Sequence, residues 1–350
     1  MIDSSNLDGD FLASAPQNKF GIALIGSGHE IPAQTLTNDQ IGLRVDTSDE
    51  WIRSRTGIRQ RCVLGKNQSL VEISTKAGLS ALRMANCQPG EIDLVLLATS
   101  TPDDLFGSAG KVQSELGARN AVAFDLTAAC SGFIFALVTA AQFIRTGAMR
   151  RVLVIGADQL SKWVDWDDRR SCVLFGDGAG AVLIEATAEK NDCLIGFKLR
   201  SDGSRGNCLN LPQKKEFKSL VDGIEHQIGG FSPVQMNGQE VYKFAVREVP
   251  LILEDLLKEN EIPPSQVDWL LLHQANQRIL NAVADRFDLP HEKVLSNLSS
   301  YGNTSAATIP MMLDEAVRDG RVQSGDLIAS SGFGAGLSWG AALFRWQGND

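Results

Sequence analysis

Two stretches of this chain repeat each other across half of its 350 residues. Glu91-Ile92-Asp93-Leu94-Val95-Leu96-Leu97 is echoed by Gln266-Val267-Asp268-Trp269-Leu270-Leu271-Leu272. At the same offset, Val152-Leu153-Val154-Ile155 is echoed by Leu327-Ile328-Ala329-Ser330. Buried strands look alike, so one match means little. Two matches at a single offset favour two copies of one α/β unit. Helical stretches flank the strands in both halves, which predicts mostly parallel sheets covered on both faces. In such folds ligands bind at the carboxyl ends of strands.

One strand end carries a nucleophile. Phe124-Asp125-Leu126 reads as a buried strand, Thr127-Ala128-Ala129 as a turn, and Cys130 to Ile144 as a helix that closes at Thr146-Gly147. That helix is apolar all round, which predicts a central, buried position. A cysteine in its first turn faces unpaired N–H groups and the positive end of the helix dipole, which together favour the thiolate. The plainer reading of one cysteine among alanines is a small buried hydrophobe. The rest of the chain raises Cys130 above it.

The second half offers partners. His273 stands at the carboxyl end of the strand Val267–Leu272, ahead of a helix with Ile279, Val283 and Phe287 on one face. Tyr301-Gly302-Asn303-Thr304-Ser305 precedes a further helix, with Thr304 and Ser305 as N-cap candidates. Taken singly, His273 is a satisfied core histidine and Asn303 a turn residue. Taken together, three polar groups at strand ends and glycine loops of a repeated fold point to a site. Ser331-Gly332-Phe333-Gly334-Ala335-Gly336 is a turn whose N–H groups suit an oxyanion.

Composition excludes several other classes. A net charge of −9 argues against nucleic acid. Six scattered cysteines without CxxC spacing and four histidines argue against zinc. No apolar run is long enough to span a membrane, and the thiols suit a cytosolic protein. Arg53, Arg55, Arg59 and Arg61 cluster beside Trp51. They read either as a solvated loop or as a phosphate and adenine site, since guanidinium forks pair with phosphate oxygens. Residues 1–19 read as a disordered tail, and residues 185–240 as a linker with a hairpin or cap.

These motifs resemble the β-ketoacyl-acyl carrier protein synthase III family, the initiating condensing enzymes of type II fatty acid synthesis within the thiolase superfamily. The resemblance rests on Ser48-Asp49-Glu50-Trp51-Ile52, Ala128-Ala129-Cys130-Ser131-Gly132-Phe133, Phe175-Gly176-Asp177-Gly178-Ala179-Gly180, His273-Gln274-Ala275-Asn276, Tyr301-Gly302-Asn303-Thr304-Ser305, and Phe333-Gly334-Ala335-Gly336. It implies an α/β thiolase-like fold, two halves stacked as a five-layered αβαβα sandwich. Residues 20–190 would carry the cysteine, and residues 191–350 the histidine and asparagine. Papain-like proteases also run Cys, His, Asn at comparable spacing, but the residues around Cys130 lack their signature.

The resemblance implies a cytoplasmic homodimer that condenses acetyl-coenzyme A with malonyl-acyl carrier protein, without metal or redox cofactor. A related enzyme with another starter or a coenzyme A-bound extender is the alternative. Cys130, His273 and Asn303 would be catalytic, and the N–H groups of Cys130 and Ala335 would form the oxyanion hole. Trp51, Arg55 and Arg169 would hold coenzyme A. Phe106 and Phe333 would bound acyl pockets, Phe106 by crossing into the partner's. Lys243, Gln274, Arg278 and Arg286 would meet the carrier protein. Three positions depart from the family pattern: Ala335 and Arg170 replace usual glycines, and Asp285 stands where some members have lysine.

Overall fold

The computed structural model describes residues 20–348; the tail expected at residues 1–19 lies outside them. Two sheets organise the chain. The first contains β1 (Gly21–Glu30), β2 (Leu94–Ala98), β3 (Val122–Leu126), β4 (Arg151–Gln159) and β5 (Asp177–Thr187), in the order β1-β5-β4-β2-β3. The second contains β6 (Leu194–Ser201), β7 (Trp269–Leu272), β8 (Leu327–Gly334) and β9 (Ser338–Arg345), in the order β7-β8-β9-β6.

Both sheets are mixed. β2 runs parallel to β3 and β4, and β7 parallel to β8, while the remaining neighbours are antiparallel. The expectation of mostly parallel sheets therefore overstated the helical crossovers. β4 to β5 and β8 to β9 connect without an intervening α-helix, so those strands reverse direction.

Helices fill the other layers. On the outer face of the first sheet lie α1 (Asp49–Thr56)'s neighbours in sequence, α2 (Leu70–Met84) and α3 (Ala109–Leu116). Between the sheets lie α4 (Gly132–Arg145) and α7 (Thr308–Arg318). The long α5 (Gly238–Glu259) covers the second sheet, with α6 (Gln277–Arg286) packed beside it. The result is the five-layered αβαβα sandwich of the thiolase fold.

Local chemistry accounts for these elements. The Ser69 hydroxyl caps α2 by accepting the Glu72 N–H, and the Ser48 hydroxyl caps α1 by accepting that of Trp51. α4 is buried on nearly every side and touches both sheets. Its Phe133, Ile134, Leu137 and Ile144 join Ile309, Met312 and Leu313 of α7 and apolar residues of both sheets in one central core.

The structure redraws three local expectations. The Gly26-Ser27-Gly28 run does not end the first strand, because β1 continues to Glu30 against α2. β3 is not buried: it is the sheet's edge, with Val122 and Phe124 turned outward. Residues 185–240 hold more than a linker, since they include the end of β5, all of β6 and a hairpin of strands Phe217–Val221 and Ile224–Gln227. The repeat itself persists, with one refinement. Leu94 pairs with Val152 in the first sheet, and Trp269 pairs with Ile328 in the second. Val152 therefore corresponds to Ile328, one residue beyond Leu327.

Candidate active site

Cys130 sits in a single 3-10 turn, Ala129–Ser131, between β3 and α4. It is 7% exposed. The turn packs against β8 and against a matching 3-10 turn, Ser305–Ala307, that leads into α7. Gly334 makes the first contact possible, because a Cβ there would lie 2.6 Å from the Cys130 nitrogen. Gly156 in turn lets the Ser305–Ala307 turn rest on β4, because a Cβ there would lie 2.2 Å from the Ala306 carbonyl oxygen.

The helix end does not by itself make Cys130 a thiolate. α4 begins two residues later, at Gly132, and burial pushes the thiol up to about 12. The Ser305 hydroxyl opposes that rise by donating to Sγ at 3.3 Å, while the charge of buried Asp158 adds to it.

His273 and Asn303 arrive from the second half. His273 follows β7, and its N–H bonds the Ser331 carbonyl of β8. Its ring lies edge-to-face with Phe333 at 5.3 Å between centroids, and its Nδ1 sits 2.8 Å from the Thr308 hydroxyl. Burial depresses the imidazole pKa to about 3, so the ring is neutral at physiological pH. Asn303 is held on both sides by the first half: its N–H donates to the Leu174 carbonyl, and its carbonyl accepts the Gly176 N–H. Its Oδ1 accepts the Ser305 N–H at 2.9 Å. A backbone N–H can only donate, so the bonded atom is the oxygen and the amide's two N–H donors remain for the cavity.

Two cavities meet at Cys130. One, of about 220 Å³, is lined by Cys130, His273, Asn303 and Phe333, and reaches Trp51, Arg55 and Arg169. Arg55 lies over the Trp51 ring at 4.5 Å, and Arg169 at 5.4 Å while bonding the Asp46 carbonyl. The other, of about 370 Å³, is bounded by Ala128, Leu160, Phe175, Val234, Ser305 and Ala335.

Elsewhere the expected groupings divide. Arg61 is fully buried and bonds the Asn38 side chain and the Val173 carbonyl, so it braces the fold and is closed to phosphate. Gln274 is also fully buried. Its amide bonds the Leu272 and Leu295 carbonyls and the Ser296 hydroxyl. It therefore cannot touch a carrier protein; it ties the loop of His273 to the sheet. Lys243 and Arg286 are exposed but paired with Glu240 and Glu254, whereas Arg278 donates to the Ser54 carbonyl and has no ion pair among the described residues. Arg170 pairs with neighbouring Asp168. Phe106 is 97% exposed and away from its own chain's Cys130 cavities. The sequence reading missed Ser305 and Thr308 as neighbours of the reactive groups; it read Ser305 only as a cap.

Comparison with known proteins converges on one family. Residues 124–203 match the model of 3-oxoacyl-[acyl-carrier-protein (ACP)] synthase III, and residues 257–346 match that of its C-terminal region. The chain is 70% identical to the β-ketoacyl-[acyl-carrier-protein] synthase III of Prochlorococcus marinus (strain MIT 9313), over 94% of this chain and 97% of that protein. It is also 70% identical to the synthase of the same name from Synechococcus sp. (strain WH7803), with 94% and 97% covered. Among solved structures, 3-oxoacyl-[acyl-carrier-protein] synthase III from Aquifex aeolicus VF5 superposes with a TM-score of 0.85 at 42% identity, covering 93% of this chain and 100% of that one.

Proposed function

Because this chain belongs to the β-ketoacyl-[acyl-carrier-protein] synthase III family, we propose that it joins acetyl-coenzyme A to malonyl-acyl carrier protein through an acetyl-Cys130 intermediate. In the first half-reaction Sγ of Cys130 attacks the acetyl thioester. The N–H groups of Cys130 and Ala335 receive the oxyanion, and the coenzyme A sulfur leaves with the proton the thiol gave up. In the second, the malonyl group loses carbon dioxide. The resulting enolate carbon attacks the acetyl carbonyl, releasing acetoacetyl-carrier protein and the Cys130 thiolate, which takes a proton from water to regenerate the thiol. No metal or redox cofactor enters this route.

One observation carries the second step: the acceptor end of Asn303 is already occupied. Asn303 spends its Oδ1 on the Ser305 N–H, whereas His273 Nδ1 and the Ser305 carbonyl both lie within reach of the one Thr308 hydroxyl proton. Asn303 Nδ2 and His273 Nε2 are left to donate to the enolate oxygen. For the imidazole this requires the Thr308 hydroxyl to turn its one proton from the Ser305 carbonyl to Nδ1, so that the ring proton resides on Nε2. One such donor is worth about 3–4 kcal/mol.

The outer end of the cavity, at Trp51, Arg55 and Arg169, is the seat of coenzyme A in this reading. Adenine between Trp51 and Arg169 needs two contacts of about 3.5 Å each. The present 5.4 Å is too close, so Arg169 must swing outward and release Asp46. Arg278, with Lys243 and Arg286 near it in function, supplies the basic contact for the acidic carrier protein. Reversing the charge of Arg278 should weaken reaction with malonyl-carrier protein, increasingly at low salt, while sparing acetylation; equal loss in both would remove Arg278 from that surface. We divide the chain into units at residues 190 and 191, one supplying the nucleophile and the other its two partners.

The working form is a homodimer. Phe106, Leu105, Val122 and Phe124 expose a continuous apolar region at the edge of the first sheet. Ser100, Thr127 and Leu211 line both the groove beside Phe106 and the larger Cys130 cavity, so a partner's Phe106 placed there would bound the acyl pocket. A reducing cytoplasm suits six unpaired thiols. Intact-mass measurement after mixing with acyl-coenzyme A esters of graded length tests the reading. Acetyl transfer to Cys130 alone is expected, and label on any other thiol, or none, removes the assignment.

A further inference from the structure

We propose that Ser305 is a third partner of the nucleophile: its hydroxyl holds Cys130 Sγ and stabilises the thiolate during transfer of the starter group. The proposal rests on Cys130 being the acyl acceptor and concerns what prepares it.

The two residues are 175 apart in sequence, one from each copy of the internal repeat. The turn Ala129–Ser131 before α4 and the turn Ser305–Ala307 before α7 are the two copies of one motif, and they meet between the sheets. Ala129 and Ser305 both adopt the left-handed region, with φ of 47° and 54°. A residue with a Cβ occupies that region only when its surroundings over-determine it. Ser305 is held there at two points: its N–H donates to Asn303 Oδ1, and its hydroxyl donates to Cys130 Sγ at 3.3 Å. It is 2% exposed, so no bulk water replaces that hydroxyl at the sulfur.

The hydroxyl has one proton and two acceptors within reach, Sγ and the Asp158 carboxylate. Asp158 already accepts from the Thr99 and Thr101 hydroxyls and from the N–H groups of Ser100 and Ala306. A carboxylate so supplied loses little when Ser305 turns to the sulfur. A thiolate gains more than a thiol does, because a hydrogen bond to a charged acceptor is about twice as strong. The ionisable groups nearest Cys130 are Asp158 at the end of β4, whose charge acts on the thiol, and His273 after β7; Arg55, Arg169 and Arg170 line the same cavity without entering the balance at the thiol, and β8, packed on the other side, contributes none. His273 is neutral and Asp158 opposes the thiolate, so the favourable polarity at Sγ falls to Ser305 and the backbone N–H groups. The hydroxyl keeps its own proton throughout: the thiol proton leaves on the coenzyme A sulfur.

The test compares Ser305→Ala and Ser305→Gly with the parent. The glycine variant removes the hydroxyl while relieving the backbone, so it serves if the alanine variant folds poorly. Iodoacetamide alkylation of Cys130, followed by peptide mapping between pH 7 and pH 9, reports the thiolate fraction. Decarboxylation of a malonyl thioester by the pre-acetylated enzyme reports the second step. We expect both variants to alkylate and acetylate about tenfold more slowly at each pH, with decarboxylation within about twofold of the parent. Parent-like alkylation in both variants overturns the proposal, as does equal loss in both half-reactions, which would mark a structural role. Mapping the acetyl label on the parent separates the two readings: label away from Cys130 ends the nucleophile assignment whatever the Ser305 variants do.

Discussion

At Asn303 a single hydrogen bond decides a chemical role. With Oδ1 held by the Ser305 N–H, the amide presents only donors to the cavity. Asn303→Ala should therefore still accept acetyl from coenzyme A, yet lose malonyl decarboxylation by about 10²–10³-fold; single-turnover rates for the two steps check this. His273 adds a pH signature. Its folded-state pKa is depressed to about 3 from the ordinary 6.5, so decarboxylation should show no imidazole titration step near 6.5. Stability carries the complementary sign. Between those two values the unfolded chain binds a proton that the folded chain does not, so this group's contribution falls as pH drops, by about 1.4 kcal/mol per unit. Chemical denaturation at two or three pH values should show a shallower acid loss in His273→Asn than in the parent. An unchanged slope would mean that the buried imidazole is protonated in the folded state.

At the scale of elements, the site depends on how closely a turn can approach a sheet. The Ser305–Ala307 turn rests on β4 at Gly156, where there is no room for a methyl group. Gly156→Ala should destabilise the fold by about 1–3 kcal/mol and slow both half-reactions, since it pushes Ser305 and Thr308 away together. Gly203→Ala, where nothing lies within 4 Å, should leave the melting temperature unchanged. Thermal unfolding of the pair checks the prediction. Several elements were legible locally: Ser69 before an amphipathic run placed α2 (Leu70–Met84), and the all-apolar run after Cys130 placed α4 between the sheets. β3 was misread because Val122, Phe124 and Leu126 are apolar. Periodicity reports only that residues are apolar, and an exposed apolar sheet edge gives the same signal as a core.

For the whole molecule, that exposed edge is the consequence with the largest reach. Phe106, Val122 and Phe124 stand in water in the single chain, so sedimentation should find the parent as a dimer and Phe124→Asp as a monomer, or as a dimer dissociating at much lower protein concentration. If the parent is a monomer, the starter pocket is closed by this chain's own residues and Phe106 has no part in it.

The internal repeat and the run of motifs pointed, without coordinates, to two α/β units, a central helix behind Cys130, His273 at a strand end and Asn303 in a glycine loop. These are legible because strand and helix periodicity, glycine turns and helix-start residues are local properties of the chain. Tertiary structure alone decided that Gln274 and Arg61 are sealed inside, that burial pushes the Cys130 thiol up against the helix end, and that Ser305 and Thr308 lie beside Cys130 and His273. Burial and hydrogen-bond partnership belong to pairs of residues. Ser305 and Cys130 lie 175 positions apart, and only the stacking of the two halves brings the hydroxyl to the sulfur.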